Sequence, residues 1–226
     1  MKYLLDMGHC IAKGSADTGC QGNGKREEDC TREIGYKIKS KLETLGHTVV
    51  ICSCDSANSV IESLSHRTNT ANKNGGDLYV AIHLNAGGGY GTEVFTYGAK
   101  AFPEAIRTLN NIVGMGLKNR GIKDGKGLYV INHTNMKSML VECCFMDTND
   151  MAKYNAEKFA DCIVKGITGQ AIKAPVVTKP VVAVKAANKG NIYRVITGSF
   201  SDETNADIRI KELKAKGFES FKEIIK

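Results

Sequence analysis

The first 170 residues alternate short apolar runs with longer stretches whose apolar residues recur every three or four positions. Six runs have the length and composition of strands: Tyr3–Met7, His47–Cys52, Leu78–Leu84, Thr92–Tyr97, Leu128–Ile131 and Met139–Cys143. Leu78-Tyr79-Val80-Ala81-Ile82 shows no polar alternation, as in a strand covered on both faces. Ile34, Ile38, Leu42 and Leu45 keep helical spacing, and Gly46 follows as a stop. Arg67 falls in another helical stretch, just before Ala71-Asn72. Pro103 suits the first turn of a helix through Ile106, Leu109, Ile112 and Val113. A last helix is predicted from about Thr148 to Ile167, with Met151, Tyr154, Phe159 and Ile163 near one stripe. This alternation predicts an α/β fold: a mostly parallel twisted sheet flanked by helices, filling residues 1–170.

The rhythm breaks after that. Residues 171–190 hold Pro175 and Pro180, many Val and Ala, and no helical period, so they read as an extended linker. Residues 191–226 read as a small β-α-β unit: a strand at Ile192–Ile196, a helix at Asp202–Lys216 stopped by Gly217, and a strand ending at Ile224-Ile225. A unit this small buries too little surface to stand alone and calls for a partner.

Composition narrows the class. With 42% hydrophobic and 24% charged residues, the 226-residue chain is neither disordered nor collagen-like. No apolar run approaches the roughly 18–20 residues of a membrane helix. Asp6 interrupts the first apolar run where a secretory peptide would continue, so synthesis in the cytoplasm without a signal peptide is expected. The eight cysteines lack paired CxxC spacing and are expected to be reduced, mostly as small buried hydrophobes. The net charge of +7 is uneven: residues 171–226 carry eleven Lys and Arg against six Asp and Glu. That tail suits an anionic polymer.

Open parallel sheets place their chemistry at the carboxyl ends of the strands. His9, His83 and Glu142 all fall at such ends. A carboxylate within Leu140-Val141-Glu142-Cys143-Cys144-Phe145 is costly to bury without a positive partner, and a metal would supply one. Two histidines and a carboxylate form a known open Zn²⁺ set. The third ligand is expected from Gly22-Asn23-Gly24-Lys25-Arg26-Glu27-Glu28-Asp29, where spacing alone leaves Glu27, Glu28 and Asp29 equivalent.

These residues resemble a family. Met7-Gly8-His9, Glu27 nineteen residues before Gly46, Ala81-Ile82-His83-Leu84-Asn85-Ala86, and Val141-Glu142 followed by Phe145 resemble the zinc-dependent N-acetylmuramoyl-L-alanine amidases of bacterial autolysins and phage endolysins. Arg67 and Gly91-Thr92-Glu93-Val94 also match. The resemblance implies that His9, Glu27 and His83 hold Zn²⁺ and that Glu142 is general base and acid. The bond cleaved would join N-acetylmuramic acid to L-alanine. Glu28 is then expected to be solvated and dispensable. Asn85, beside His83, Arg67, by its match, and His133, at the end of the Leu128–Ile131 run, are the candidate substrate contacts. Glu93 is read as an ordinary strand residue. Cys143-Cys144 stands where the family commonly has small or aliphatic residues, which puts a thiol near the expected zinc.

Tyr193-Arg194-Val195-Ile196-Thr197-Gly198-Ser199-Phe200, Asn205-Ala206 and Leu213–Phe218 resemble the first half of a sporulation-related repeat, a module that binds peptidoglycan. Two copies would rebuild the full β-α-β-β-α-β arrangement, so a homodimer through this unit is expected. The expected partner is peptidoglycan, not nucleic acid, met at the bacterial cell wall after release. A zinc peptidase cutting the stem peptide and an inert peptidoglycan-binding protein are the competing readings.

Overall fold

The computed structural model describes residues 1–170 and, beyond them, Asp207, Ile210 and Leu213. The chain divides into two units, Met1–Val176 and Val177–Lys226. Asp207, Ile210 and Leu213 are helical and half-buried, within the helix expected at Asp202–Lys216. The remainder of the linker and of the 191–226 unit, with its expected dimer contact, lies outside the described residues.

In chain order the elements are β1 (Lys2–Met7), a hairpin of β2 (Gln21–Gly22) and β3 (Lys25–Arg26), α1 (Glu27–Thr44), β4 (Thr48–Ile51), α2 (Val60–Asn74), β5 (Leu78–Asn85), β6 (Thr92–Thr96), α3 (Pro103–Val113), β7 (Asn119–Asp124), α4 (Tyr129–Asn132), β8 (Ser138–Phe145) and α5 (Ala156–Thr168). Local chemistry sets the helix ends. Pro103 occupies the first turn of α3, and Ser59 and Asn155 accept the backbone N–H groups of Glu62 and Lys158 as N-caps of α2 and α5. Gly46 and Gly169 follow α1 and α5 at φ of 80° and 69°, a left-handed turn that glycine takes without strain.

The six-stranded sheet has the order β4-β1-β5-β8-β6-β7. All neighbours are parallel except β6 and β8, which run antiparallel. Alternation along the central strands divides their side chains between two cores. Tyr3, Leu5, Val80, Ile82, Met139 and Val141 pack with residues of α1, α3 and α5. Leu4, Tyr79, Ala81 and Leu140 pack with Ala71 of α2 and Val130 and Ile131 of α4. Among the described residues no helix is long and apolar enough to cross a membrane. All eight cysteines are free, and six are buried.

Two expectations change. Leu128–Ile131 is not a strand: it leads into the short helix α4, whose Val130 and Ile131 cap the second core. The strand is instead β7, Asn-Arg-Gly-Ile-Lys-Asp, at the open edge of the sheet, where polar side chains are tolerated. The helix expected from Thr148 is two pieces. A 3₁₀ turn at Asn149–Lys153 precedes Asn155, which starts α5.

Helices α3 and α5 meet at Gly166, where a Cβ would lie 2.6 Å from the Thr108 Cα and 2.7 Å from its nitrogen. The close approach is backbone against backbone, so no side chain can swing away. Gly166→Ala is therefore expected to destabilise the fold by about 1–3 kcal/mol, the usual range for overpacking. Urea unfolding should show a lower midpoint with an unchanged slope.

Candidate metal and catalytic site

Strand parity gathers the chemistry on one sheet face. His83 shares the side of Tyr79 and Ala81 on β5, Glu142 that of Leu140 on β8, and Glu93 that of Phe95 on β6. His83 lies opposite Glu142, and Glu142 opposite Glu93, so the three form a row across adjacent strands. Because β6 is antiparallel, its first residues reach the edge where β5 and β8 end.

His9 follows β1 in a turn of unusual backbone, with φ of 63°. Buried Arg32 of α1 secures that turn: its guanidinium donates to the carbonyl oxygens of Met7 and Gly8 and, at 2.8 Å, of His9. Thr31 Oγ1 adds a 2.9 Å bond to the Gly8 carbonyl. At Gly8 a side chain is excluded, since a Cβ would lie 2.7 Å from His83 Nδ1.

Glu27 opens α1 and is only 3% exposed. Its Oε1 lies 3.0 Å from His83 Nδ1 and 3.3 Å from His9 Nε2, and accepts the Leu84 N–H at 3.0 Å. Oε2 accepts the Cys20 N–H at 3.0 Å and the Cys20 thiol at 3.1 Å. Burial opposes the carboxylate charge, yet bonds from His83 and His9 hold its pKa well below the usual range. The helix start favours the same charge. Burial likewise opposes a charged His9, but its bonds to Asp17 and Glu27 carry its pKa up to about 9. The pocket thus demands a positive charge, which a proton on His9 supplies.

A divalent cation would answer that demand by displacing the proton. One ligand atom from each of His9, Glu27 and His83 lies within 4.8 Å of the others. Two imidazole nitrogens and a carboxylate oxygen suit Zn²⁺. The donor set fits the ion. Glu28 is not part of it and is not solvated either: it is 1% exposed, and its Oε1 accepts from Arg26 Nε at 2.8 Å.

Glu142 stands beside this cluster, half-buried, with Oε2 sealed from solvent and lacking a hydrogen-bond partner among the described residues. Burial raises its pKa to about 7, with His83 opposing the rise and the charges of Glu27 and Glu93 adding to it. Asn85 is half-buried; its Nδ2 donates to Glu93 Oε1 at 2.9 Å. Glu93 Oε2 in turn accepts from Arg120 Nε at 3.0 Å.

Two expected substrate contacts do not reach this edge. Arg67 is 1% exposed, too deep to touch a substrate; it pairs with Asp17 Oδ2 at 2.7 Å and faces Asp6 Oδ1 at 3.7 Å. His133 caps α4, stacks on Tyr129 with 3.8 Å between ring centroids, and accepts through its carbonyl from Asn72 near the end of α2. Its segment adjoins the beginning of β8, where Ser138 donates to the Ile131 carbonyl. Cys143 and Cys144 turn into the main core, and burial raises both thiols. The thiol at the site belongs to Cys20. Asp17, Cys20, Arg32 and Arg120 are site-building residues absent from the sequence reading, and Glu93, read there as an ordinary strand residue, joins them.

Comparisons with known proteins agree on the assignment of this unit. The N-acetylmuramoyl-L-alanine amidase family profile matches residues 4–173, and the SPOR domain profile matches residues 151–221. The two overlap in the segment holding α5, whose Phe159, Ile163 and Ile167 are buried in the amidase core. N-acetylmuramoyl-L-alanine amidase CwlM of Bacillus licheniformis is 29% identical over 227 residues, covering 97% of this chain and 83% of the relative. The sporulation-specific N-acetylmuramoyl-L-alanine amidase of Bacillus subtilis (strain 168) is 28% identical over 225 residues, with the same two coverages. The solved catalytic domain of the CD27L endolysin targeting Clostridia Difficile superposes with a TM-score of 0.69 at 29% identity, over 76% of this chain and 99% of that domain.

Gly8→Ala tests the packing of the cluster. The added methyl must displace the His83 ring, and about a tenfold or greater loss of Zn²⁺ affinity is expected in equilibrium dialysis, with the far-ultraviolet circular dichroism unchanged.

Proposed function

The chain belongs to the N-acetylmuramoyl-L-alanine amidase family, and we propose that it works with Zn²⁺ held by His9, Glu27 and His83 and with Glu142 as general base and acid. It is a peptidoglycan hydrolase acting on the amide bond between N-acetylmuramic acid and L-alanine of the bacterial cell wall. The observation that carries the zinc reading is the convergence of three ligand atoms within 4.8 Å beside a buried carboxylate oxygen that lacks a partner.

When bound, Zn²⁺ supplies the positive charge that polarises the scissile carbonyl and makes water more acidic. The protein contributes the proton path. Glu142 takes a proton from the attacking water as the new C–O bond forms, then gives it to the alanine nitrogen as the C–N bond breaks. Burial raises the proton affinity of Glu142, which favours its taking the proton from water. A cation held by the neighbouring ligands would favour the ionised carboxylate, the form that can accept that proton. Asn85, on the rim beside Glu93, is the remaining candidate for substrate contact.

Glu142→Gln keeps the size of the side chain and removes the basic oxygen. It is expected to retain stoichiometric zinc while losing about 10²–10⁴ in turnover on purified peptidoglycan. Mass analysis of the wild-type digest should show new L-alanine amino termini, and chelation should abolish them. Normal turnover by Glu142→Gln would move the base elsewhere.

The same reading includes a homodimer through residues 191–226, supported by the half-length repeat pattern of that unit. Two joined copies would bind a polymeric substrate with higher avidity. Sedimentation of the full chain at micromolar concentration is expected to give twice the monomer mass; a monomer refutes the pairing.

A further inference from the structure

Behind His9 lies a chain of buried polar groups. Asp17 Oδ1 is 2.8 Å from His9 Nδ1. Its other oxygen, Oδ2, accepts from Ser63 Oγ at 2.6 Å and from Arg67 Nη2 at 2.7 Å. Arg67 faces Asp6, 0% exposed, and Asp6 Oδ2 accepts the Tyr79 hydroxyl at 2.6 Å. Placing an arginine and two carboxylates out of water is costly, and replacing such a set with apolar residues is often neutral or stabilising. Stability alone does not account for it. The network ends on one atom with a task, His9 Nδ1.

We propose that Asp17 is the positioning residue for His9: it fixes the imidazole tautomer so that Nδ1 carries the hydrogen and Nε2 presents its lone pair to the metal. The proposal rests on the zinc reading above. An ionised carboxylate has no hydrogen to give, so the 2.8 Å contact with a neutral imidazole requires an Nδ1–H donor. Once a cation has displaced the second proton, Nε2 would be free of hydrogen, and it is Nε2 that faces Glu27. Arg67 and Ser63 set the direction of the whole assembly, because both donate to the oxygen of Asp17 that His9 does not use. Arg67 thereby acts on the metal from a site no substrate reaches.

The orientation makes a specific demand on Asp17→Asn. Its amide oxygen must stay toward the two donors, Arg67 and Ser63, so its NH₂ group must turn toward His9. An NH₂ group donates, which forces Nδ1 to accept and moves the imidazole hydrogen to Nε2, where it blocks the ligand position. A substitution of equal size and shape thus inverts the tautomer. The expected loss of Zn²⁺ affinity is about 10–100-fold.

The experiment is a chromophoric-chelator competition for Zn²⁺ on the full chain, wild type and Asp17→Asn, with unfolding midpoints of both metal-free proteins. Long-range ¹⁵N–¹H spectra of the imidazoles in the zinc-loaded wild type provide the second measurement. Stoichiometric zinc in the wild type, tenfold or weaker binding by a folded Asp17→Asn, and an Nδ1–H pattern for His9 are the expected results. Equal affinity in the two proteins, or an Nε2–H pattern in the loaded wild type, overturns the role of Asp17 and leaves the zinc reading intact. A wild type that takes up no zinc overturns the zinc reading itself. If Asp17→Asn does not fold, the wild-type spectrum decides alone.

Discussion

Glu27 is a carboxylate with no access to bulk water, and keeping its charge there constrains the rest of the site. The start of α1 supplies helix polarity, Leu84 and Cys20 supply backbone donors, and two imidazoles lie within hydrogen-bond or ion-pair range. Each requires a separate element to end at the same point. β1 must stop so that His9 can turn back, β5 must carry His83 outward, and the β2–β3 hairpin must bring α1 to the strand edge. Arg32, one turn into α1, ties these demands together by binding the carbonyls of the His9 turn. The same helix therefore provides the charge and holds its partner.

The second constraint is the reversed strand. In an all-parallel sheet the first residues of β6 would lie at the far end, away from the chemistry. The antiparallel pairing of β6 with β8 instead puts Glu93 directly across from Glu142. Its charge is balanced by Arg120 on β7 and its other oxygen is occupied by Asn85. Glu93 therefore raises the pKa of Glu142 while remaining tied down itself. Two acidic groups side by side differ in kind because one is partnered and the other keeps a free oxygen.

Much of this was legible in the residues. Continuous apolar runs located β1, β5 and β8, and strand-end polar residues located His9, His83 and Glu142, because a buried strand makes any charge conspicuous. What escaped had no such background. Asp17 lies in a Gly- and Ser-rich loop without periodicity, and its partner Arg67, expected to contact substrate, is buried instead. Glu93 is the strand residue it was read as, but its place opposite Glu142 was not legible, because strand direction is not written in strand composition. β7 carries a single aliphatic residue, Ile122, since an edge strand needs little more, whereas Val130 and Ile131 had the β-branched composition of a strand but cap a core from a short helix. Glu28 and Arg32 are buried at the start of α1, and nothing in their one-turn spacing, which ordinarily marks an exposed helix face, announces it.

The strand order also dictates when the molecule can acquire activity. β8 is the last strand of the sheet in sequence, yet it lies between β5 and β6 in space. Until it inserts, β5 has an open edge and the β6–β7 pair has nothing to join. Partnerships such as Ile82 with Val141 link distant parts of the chain, and such closures form slowly. A ribosome that has delivered His9, Glu27 and His83 has still not delivered Glu142. The row of His83, Glu142 and Glu93 is therefore assembled only with the final strand, and a chain that stops before β8 lacks its middle member.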